Sequence, residues 1–295
     1  MFQLLDRTPN VDSLLSDLAD YILNEGLMVM KANYGTITTD PEKYVEQLLE
    51  LYNRFTKLVT DAFNGDPRFM TSRDKAFKLI INDTKIFQMD LPNMMNQKIK
   101  PESRCPELLA NYCDVLLRRN QTKKLTEDEI KEKLTNVVIL LKYVQNKDIF
   151  MKYHKAHLTR RLILEMSNDQ EMEENMVIML KEIGMPPEYI NKLSQMFKDI
   201  RVSDGINQKF KGIARTDLQN STLADCVNIK ILNAGAWSRS SEISVTLPSE
   251  LEDYIPEIDK FYKNEHSGRK LTWHHLMSSG VVSLNLLNFL NNFKL

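Results

Sequence analysis

Lys142–Met166, KYVQNKDIFMKYHKAHLTRRLILEM, carries its apolar residues on two separate arcs of a helical wheel. Ile149, Phe150, Tyr153, Ala156, Ile163 and Leu164 share one side; Met151, Leu158, Leu162 and Met166 lie across from them. A helix that needs cover on two sides packs between other helices. Lys152, Lys155 and Thr159 run along one seam, with Arg161 and Glu165 along the other. The stretch predicts the central helix of a bundle with a basic rim.

The flanking sequence supplies the partners. Met1–Arg7 has the pattern of the last turns of a helix. Asp12 opens another, with Leu14, Leu15, Leu18 and Ile22 at helical spacing. Thr39-Asp40-Pro41-Glu42 combines capping-box spacing with a proline suited to the first turn. The stripe Tyr44, Leu48, Leu51, Phe55, Leu58 and Phe63 follows, and Asp66-Pro67 begins a further helix. Residues 1–90 thus predict one layer of a helical repeat or solenoid. Leu91–Arg104, with two prolines and no apolar period, is the expected boundary. Beyond it Cys105-Pro106-Glu107 and the capping box Thr126-x-x-Glu129 open two helices. Ser167-x-x-Gln170 caps a helix whose Met172, Met176 and Met179 face inward, and Gly184 and Pro186 end it. One more helix covers Ile190–Ile200 and a short last one Ile206–Phe210. Four major helices with short loops are what a helical bundle requires.

Charge within the bundle is segregated: Lys142–Met166 has six basic and two acidic residues, whereas Ser167–Glu182 has five acidic and one basic. Pairing inside the bundle accounts for this, and so does a basic groove built on Lys152, Lys155, Arg160 and Arg161 for an acidic partner. Over the whole chain the 39 basic and 40 acidic residues nearly cancel, so no nucleic acid is implied. No apolar run approaches the roughly 20 residues of a membrane span, and MFQLLDRTPN lacks the order of a signal peptide. The three cysteines, Cys105, Cys113 and Cys226, have no paired spacing. That favours reduced thiols and a cytoplasmic and nuclear location.

From Val227 the periodicity changes. Val227–Leu232 alternates as a strand with one buried face. Asn233–Ala236 makes a turn before Trp237. Ile243–Leu247 suggests a second short strand, Pro248–Asn264 a helix, Leu271–Leu276 a strand, and Ser279-Gly280 a hairpin turn toward Val281–Leu284. A small sheet of this kind has unpaired edges, which invite addition of a partner strand.

Catalytic patterns are scarce. GxGxxG, GxxxxGK[ST], HExxH and GxSxG do not occur. His154 and His157 have a spacing that suits a metal, but no cysteine or carboxylate completes a site. His274 and His275 would point to opposite faces of a strand, and Cys105 and Cys113 fit an apolar helix face. No metal, cofactor or active site is expected.

Six blocks carry a family resemblance: Pro106–Asp114 (PELLANYCD), Tyr143–Phe150 (YVQNKDIF), Leu158–Leu162 (LTRRL), Met196–Ser203 (MFKDIRVS), Asn233–Trp237 (NAGAW) and His266–Trp273 (HSGRKLTW). In this order they resemble the cullin family, and NAGAWSRSSE and HSGRKLTWHHLM are closest to its cullin-five branch. The resemblance implies a mainly α chain: the last helical cullin repeat at 1–100, the four-helix bundle at 101–213, and a small truncated α/β region at 214–280. It is expected to end at Gly280, leaving 281–295 as a divergent tail without the winged helix and its modifiable lysine. The first repeat, which binds the substrate adaptor, is also expected to be absent.

The implied role is a non-enzymatic scaffold of a ubiquitin ligase in protein degradation. A zinc-binding RING-box protein would dock by a strand on Val227, Ile229, Ile231, Trp237, Leu271 and Trp273. The ubiquitin-conjugating enzyme would be held indirectly, and other regulators would meet the bundle. The alternative is an inactive interaction module that binds regulators without supporting transfer.

Overall fold

The computed structural model describes residues 11–89, 101–119, 125–217, 227–237, 245–247, 249–252 and 254–280. They divide into two compact units, 1–161 with 166–197 and 162–165 with 198–295. The division falls inside a helix, and the solenoid-like and bundle helices share the first unit. Of the expected boundary at Leu91–Arg104, residues 91–100 lie outside the described ones. So do Met1–Arg7, Cys226, Val281–Leu284 and the tail.

In the first unit, α1 (Val11–Ala32) and a one-turn α2 (Tyr34–Ile37) precede α3 (Pro41–Phe63) and α4 (Pro67–Ile81). The cap of α3 is Asp40 rather than Thr39: its carboxylate accepts the Glu42 and Lys43 N–H groups at 3.1 and 3.3 Å, with Pro41 in the first turn. Asp66 caps α4 in the same way, accepting the Arg68 N–H at 2.8 Å. α1 lies against α4, and Gly26 permits the approach. A Cβ there would come within 2.4 Å of Ile80 Cδ1. Phe55, Phe69 and Phe77 fill the interior, with Phe63 stacked on Phe69 at 4.0 Å and Tyr52 edge-on to Phe77 at 5.4 Å.

The bundle part of this unit holds α5 (Cys105–Leu117), α6 (Glu127–Leu141), α7 (Lys147–Ile163) and α8 (Gln170–Glu182). The capping box at α6 forms in both directions: the Glu129 N–H reaches Thr126 Oγ1 at 3.3 Å, and the Thr126 N–H reaches Glu129 Oε2 at 2.7 Å. At α8 the cap is Asp169, whereas Ser167 donates its hydroxyl to Glu173. Asn82 clamps the α6–α7 joint to the end of α4, donating to the Tyr143 carbonyl and accepting the Gln145 N–H, both at 2.9 Å. α7 starts at Lys147 rather than Lys142. On its first arc only Phe150 is buried, and Ala156 is exposed; Met151, Leu158 and Leu162 on the second arc are buried.

The expected pair of helices at Ile190–Phe210 is one helix, α9 (Pro187–Asp217), 31 residues long and uninterrupted by Gly205. The second unit packs the C-terminal half of α9 against α11 (Tyr254–Glu265), which follows the one-turn α10 (Ser249–Glu252). Its core is Phe210, Ala214, Tyr254 and Ile258, with Val227, Ile229, Phe261 and Trp273 packed around it. The expected strands are not found. Val227–Leu232, the described part of Ile243–Leu247 and Leu271–Leu276 form no β-ladder, and His275–Met277 is a 3-10 turn. Among the described residues the only β-type pairings are isolated bridges, Gln88 with Ser103 and Arg118 with Ser167.

Candidate functional site

Residues 227–233 belong to no helix or strand and lead into a turn at 234–237. The Ile229 N–H donates to Asn207 Oδ1 at 2.8 Å, and Asn207 Nδ2 returns a bond to the Ile229 carbonyl. The Ile231 N–H donates to Ser203 Oγ at 2.7 Å, and that hydroxyl contacts the Ile231 carbonyl at 3.2 Å. The Asn233 N–H and the Trp237 indole N–H both donate to Asp199 Oδ2, at 2.8 and 2.7 Å. Residues 229, 231 and 233 point the same way, which is the period of extended backbone.

Their partners are four apart on α9. Four helical residues rise ~6 Å and two extended residues ~6.6 Å, so the two repeats keep step over three rungs. Asp199, Ser203 and Asn207 are all buried, and each satisfies backbone that a neighbouring strand would otherwise satisfy. The helix thus stands in for a strand along one edge.

The other edge is open. Among the described residues the backbone N–H and C=O groups of 228, 230 and 232 make no hydrogen bond, and the alternation of extended backbone turns them to the edge opposite the one that α9 holds. The side chains beside them are fixed: Lys211 Nζ donates to Asn228 Oδ1 and Lys230 Nζ to Glu165 Oε1, both at 2.7 Å.

The expected docking residues separate into two groups. Val227, Ile229 and Trp273 meet at the core of the second unit, whereas Trp237 is buried at the Asp199 end. Ile231 and Leu271 are half-buried. The sequence pattern singles out none of Asp199, Ser203, Asn207 and Glu165 as a site residue. The signal was present in the sequence as three short polar residues at i, i+4 and i+8, on the helix face that also carries Phe210 and Ala214.

The expected basic groove needs correction at Arg161. Its side chain is fully buried, donating through Nε and Nη2 to both oxygens of Glu173 at 2.6 and 2.8 Å, and through Nη1 to Asp114 at 2.6 Å. Arg118 also pairs with Asp114, and His157 Nε2 contacts Asn111 Oδ1 at 2.8 Å. Burial alone would lower the Arg161 pKa, but Glu173 and Asp114 raise it, so the guanidinium stays charged. Lys152 and Arg160 are exposed and Lys155 half-buried. With about 100° per residue, these three spread over roughly 140° of α7.

Among the described residues no group of three or more His, Cys, Asp or Glu side chains comes together that could hold a metal ion. His154 is 1% exposed and stacked on Phe150. Burial, helped by the Arg161 charge, pushes its pKa down to about 3 from an ordinary 6.5. Between those values the unfolded chain binds a proton that the folded chain refuses. Stability is therefore full above pH 6.5 and falls as pH drops, by up to about 1.4 kcal/mol per pH unit. Lowering the pH from 7 to 5 should cost about 2 kcal/mol through this group, and urea titration of His154→Phe should show a correspondingly flatter pH dependence. An equally steep dependence in the variant would refute the assignment.

The family described as the cullin alpha solenoid domain matches residues 1–207. The chain belongs to the cullin family. A second match, to the cullin alpha+beta domain, covers residues 231–294 of this cullin. It passes through Gly280 and most of the segment expected to diverge, so the resemblance does not stop there. The α9 side of the ladder lies within the first match, and Ile231, Asn233 and Trp237 lie within the second.

Among relatives, Cullin-5 of Caenorhabditis elegans is 48% identical over 292 residues, 98% of this cullin and 38% of that protein. Cullin-1 of the same organism is 34% identical over 96% of this chain and 35% of its own length. Cullin-1 of Dictyostelium discoideum is 31% identical over 97% and 36%. This cullin therefore spans less than two fifths of the length of these relatives.

Proposed function

We propose that this cullin is a non-catalytic scaffold of a ubiquitin ligase, which accepts a strand of a RING-box protein on the open edge of residues 228–232. The RING-box protein in turn holds the ubiquitin-conjugating enzyme, and the chemistry resides in those partners. The observation that carries the reading is the one-sided ladder: α9 satisfies the inner edge and leaves alternate backbone donors and acceptors in line on the outer one. That is the recognition surface β-augmentation uses, with main-chain bonds supplying affinity. Membership of the cullin family supports it independently. Buried, unpaired Cys105 and Cys113 agree with a cytoplasmic and nuclear location, which microscopy of a tagged chain checks.

Leu232→Pro provides the test. Proline removes a donor from the outer edge, while the three α9 rungs use residues 229, 231 and 233. Pull-down of a RING-box protein should drop at least tenfold with the fold intact. Undiminished capture by Leu232→Pro would refute the docking edge. Capture by the wild-type chain without stimulated ubiquitin transfer would identify the inactive interaction module instead.

A further inference from the structure

Glu165 occupies a backbone conformation that its side chain does not favour. The left-handed positions among the described residues are Asn64, Gly65, Gly184, Gly268 and Glu165, with Glu165 at φ 55°. Four of the five are glycine or asparagine, the residues that tolerate this region. Glu165 follows the end of α7, where the Met166 N–H closes back on the Arg161 carbonyl at 2.8 Å. That position is most often glycine. Glycine would relieve the backbone but would remove the carboxylate that takes Lys230 Nζ at 2.7 Å.

Lys230 lies between the two residues that Asn207 and Ser203 hold by both N–H and C=O. Its own backbone belongs to the open edge. Its side chain is 17% exposed, whereas that of Glu165 is 67% exposed. The cation is thus packed down beside the segment, and the carboxylate reaches it from the left-handed turn, within the same compact unit. Asn207 and Ser203 fix the inner edge, and the Glu165–Lys230 pair fixes the central residue of the outer one.

We infer that Glu165 is a positioning residue for the docking edge: it holds Lys230 so that the backbone of residues 228–232 stays extended and open to an incoming strand. The partner half of this inference rests on the strand-docking reading above. The positioning half rests only on the Glu165–Lys230 pair and the ladder.

Amide exchange on the full chain separates the two halves and distinguishes positioning from plain stability. Glu165→Gly should raise the thermal midpoint by about 2 °C, by relieving the left-handed residue. It should also make the Ile229 and Ile231 amides exchange about tenfold faster. A residue serving stability alone would move both readouts together. Lys230→Met should speed the same amides without raising the midpoint. Exchanging the charges, Glu165→Lys with Lys230→Glu, should return them to within about threefold of the wild type. Unchanged exchange in Glu165→Gly, or no recovery in the charge-exchanged pair, overturns the positioning role.

For the partner half, Glu165→Gly should bind a RING-box protein about tenfold more weakly than wild type. Faster exchange with unaltered binding would overturn the role in docking. A wild-type chain that does not bind the RING-box protein would refute the docking reading itself, and the exchange result would still decide whether Glu165 positions the segment.

Discussion

Arg161→Met should destabilise the first compact unit by about 3–5 kcal/mol, because it strands the buried Glu173 carboxylate without its cation and leaves Asp114 only Arg118. Arg161 makes three charged hydrogen bonds at 2.6–2.8 Å, to Asp114 and to both oxygens of Glu173. Glu173 is 1% exposed and Asp114 is 5% exposed, so water cannot take over. One carboxylate would have to take up a proton or the helices would part. Urea unfolding at pH 7 measures the loss. Adding Asp114→Asn and Glu173→Gln should recover much of it, since the cost lies in the unpaired charges rather than in the missing side chain. A loss below about 1 kcal/mol would mean that the cluster is hydrated in solution.

Asp199→Ala should have the second largest effect, and a more local one. One carboxylate oxygen accepts both the Asn233 N–H and the Trp237 indole N–H, and alanine leaves both without a partner. The Trp237 indole is buried, so its orphaned donor costs about 1–3 kcal/mol, whereas Asn233 is exposed and its N–H can turn to water. The chain has two tryptophans, so with Trp273→Phe as background the emission of Trp237 reports its release to water. The expected result is a red shift of that emission and loss of RING-box capture, with α1–α8 intact. Asp199→Asn retains an acceptor and should fall between the two. If Asp199→Ala keeps the wild-type emission, the carboxylate does not hold Trp237.

These two groups also show what the sequence conveyed and what it concealed. The helices were legible because their signals are local: Asp66-Pro67 and Thr126-x-x-Glu129 act within one turn, and the stripe from Tyr44 to Phe55 is a simple repeat. A wheel of one helix puts Arg161 on a surface rim, because its partners are 47 and 12 residues away and lie on other helices. Alternation in Val227–Leu232 predicts a strand with one buried face; no strand forms, although Val227 and Ile229 do pack inward. Alternation does not encode who satisfies that backbone: it implies a strand neighbour where Ser203 and Asn207 serve. The apolar spacing predicts two helices, Ile190–Ile200 and Ile206–Phe210, where the fold has the single α9. In the fold Ser203 is buried in the ladder, and tertiary contacts outweigh local preference.

The rungs from Asp199 to Asn207 make α9 a ruler for the segment beside it. One added residue between Asp199 and Asn207 would rotate every later rung by about 100° around the helix. One added residue between Ile229 and Asn233 would turn the next donor to the opposite edge. Neither chain can lengthen alone over this stretch. The turn at Asn233–Ala236 lies past the last backbone rung, so it is the place where extra residues would leave the other rungs in register. Substitution can tune this part of the protein, whereas insertion and deletion are confined to its ends.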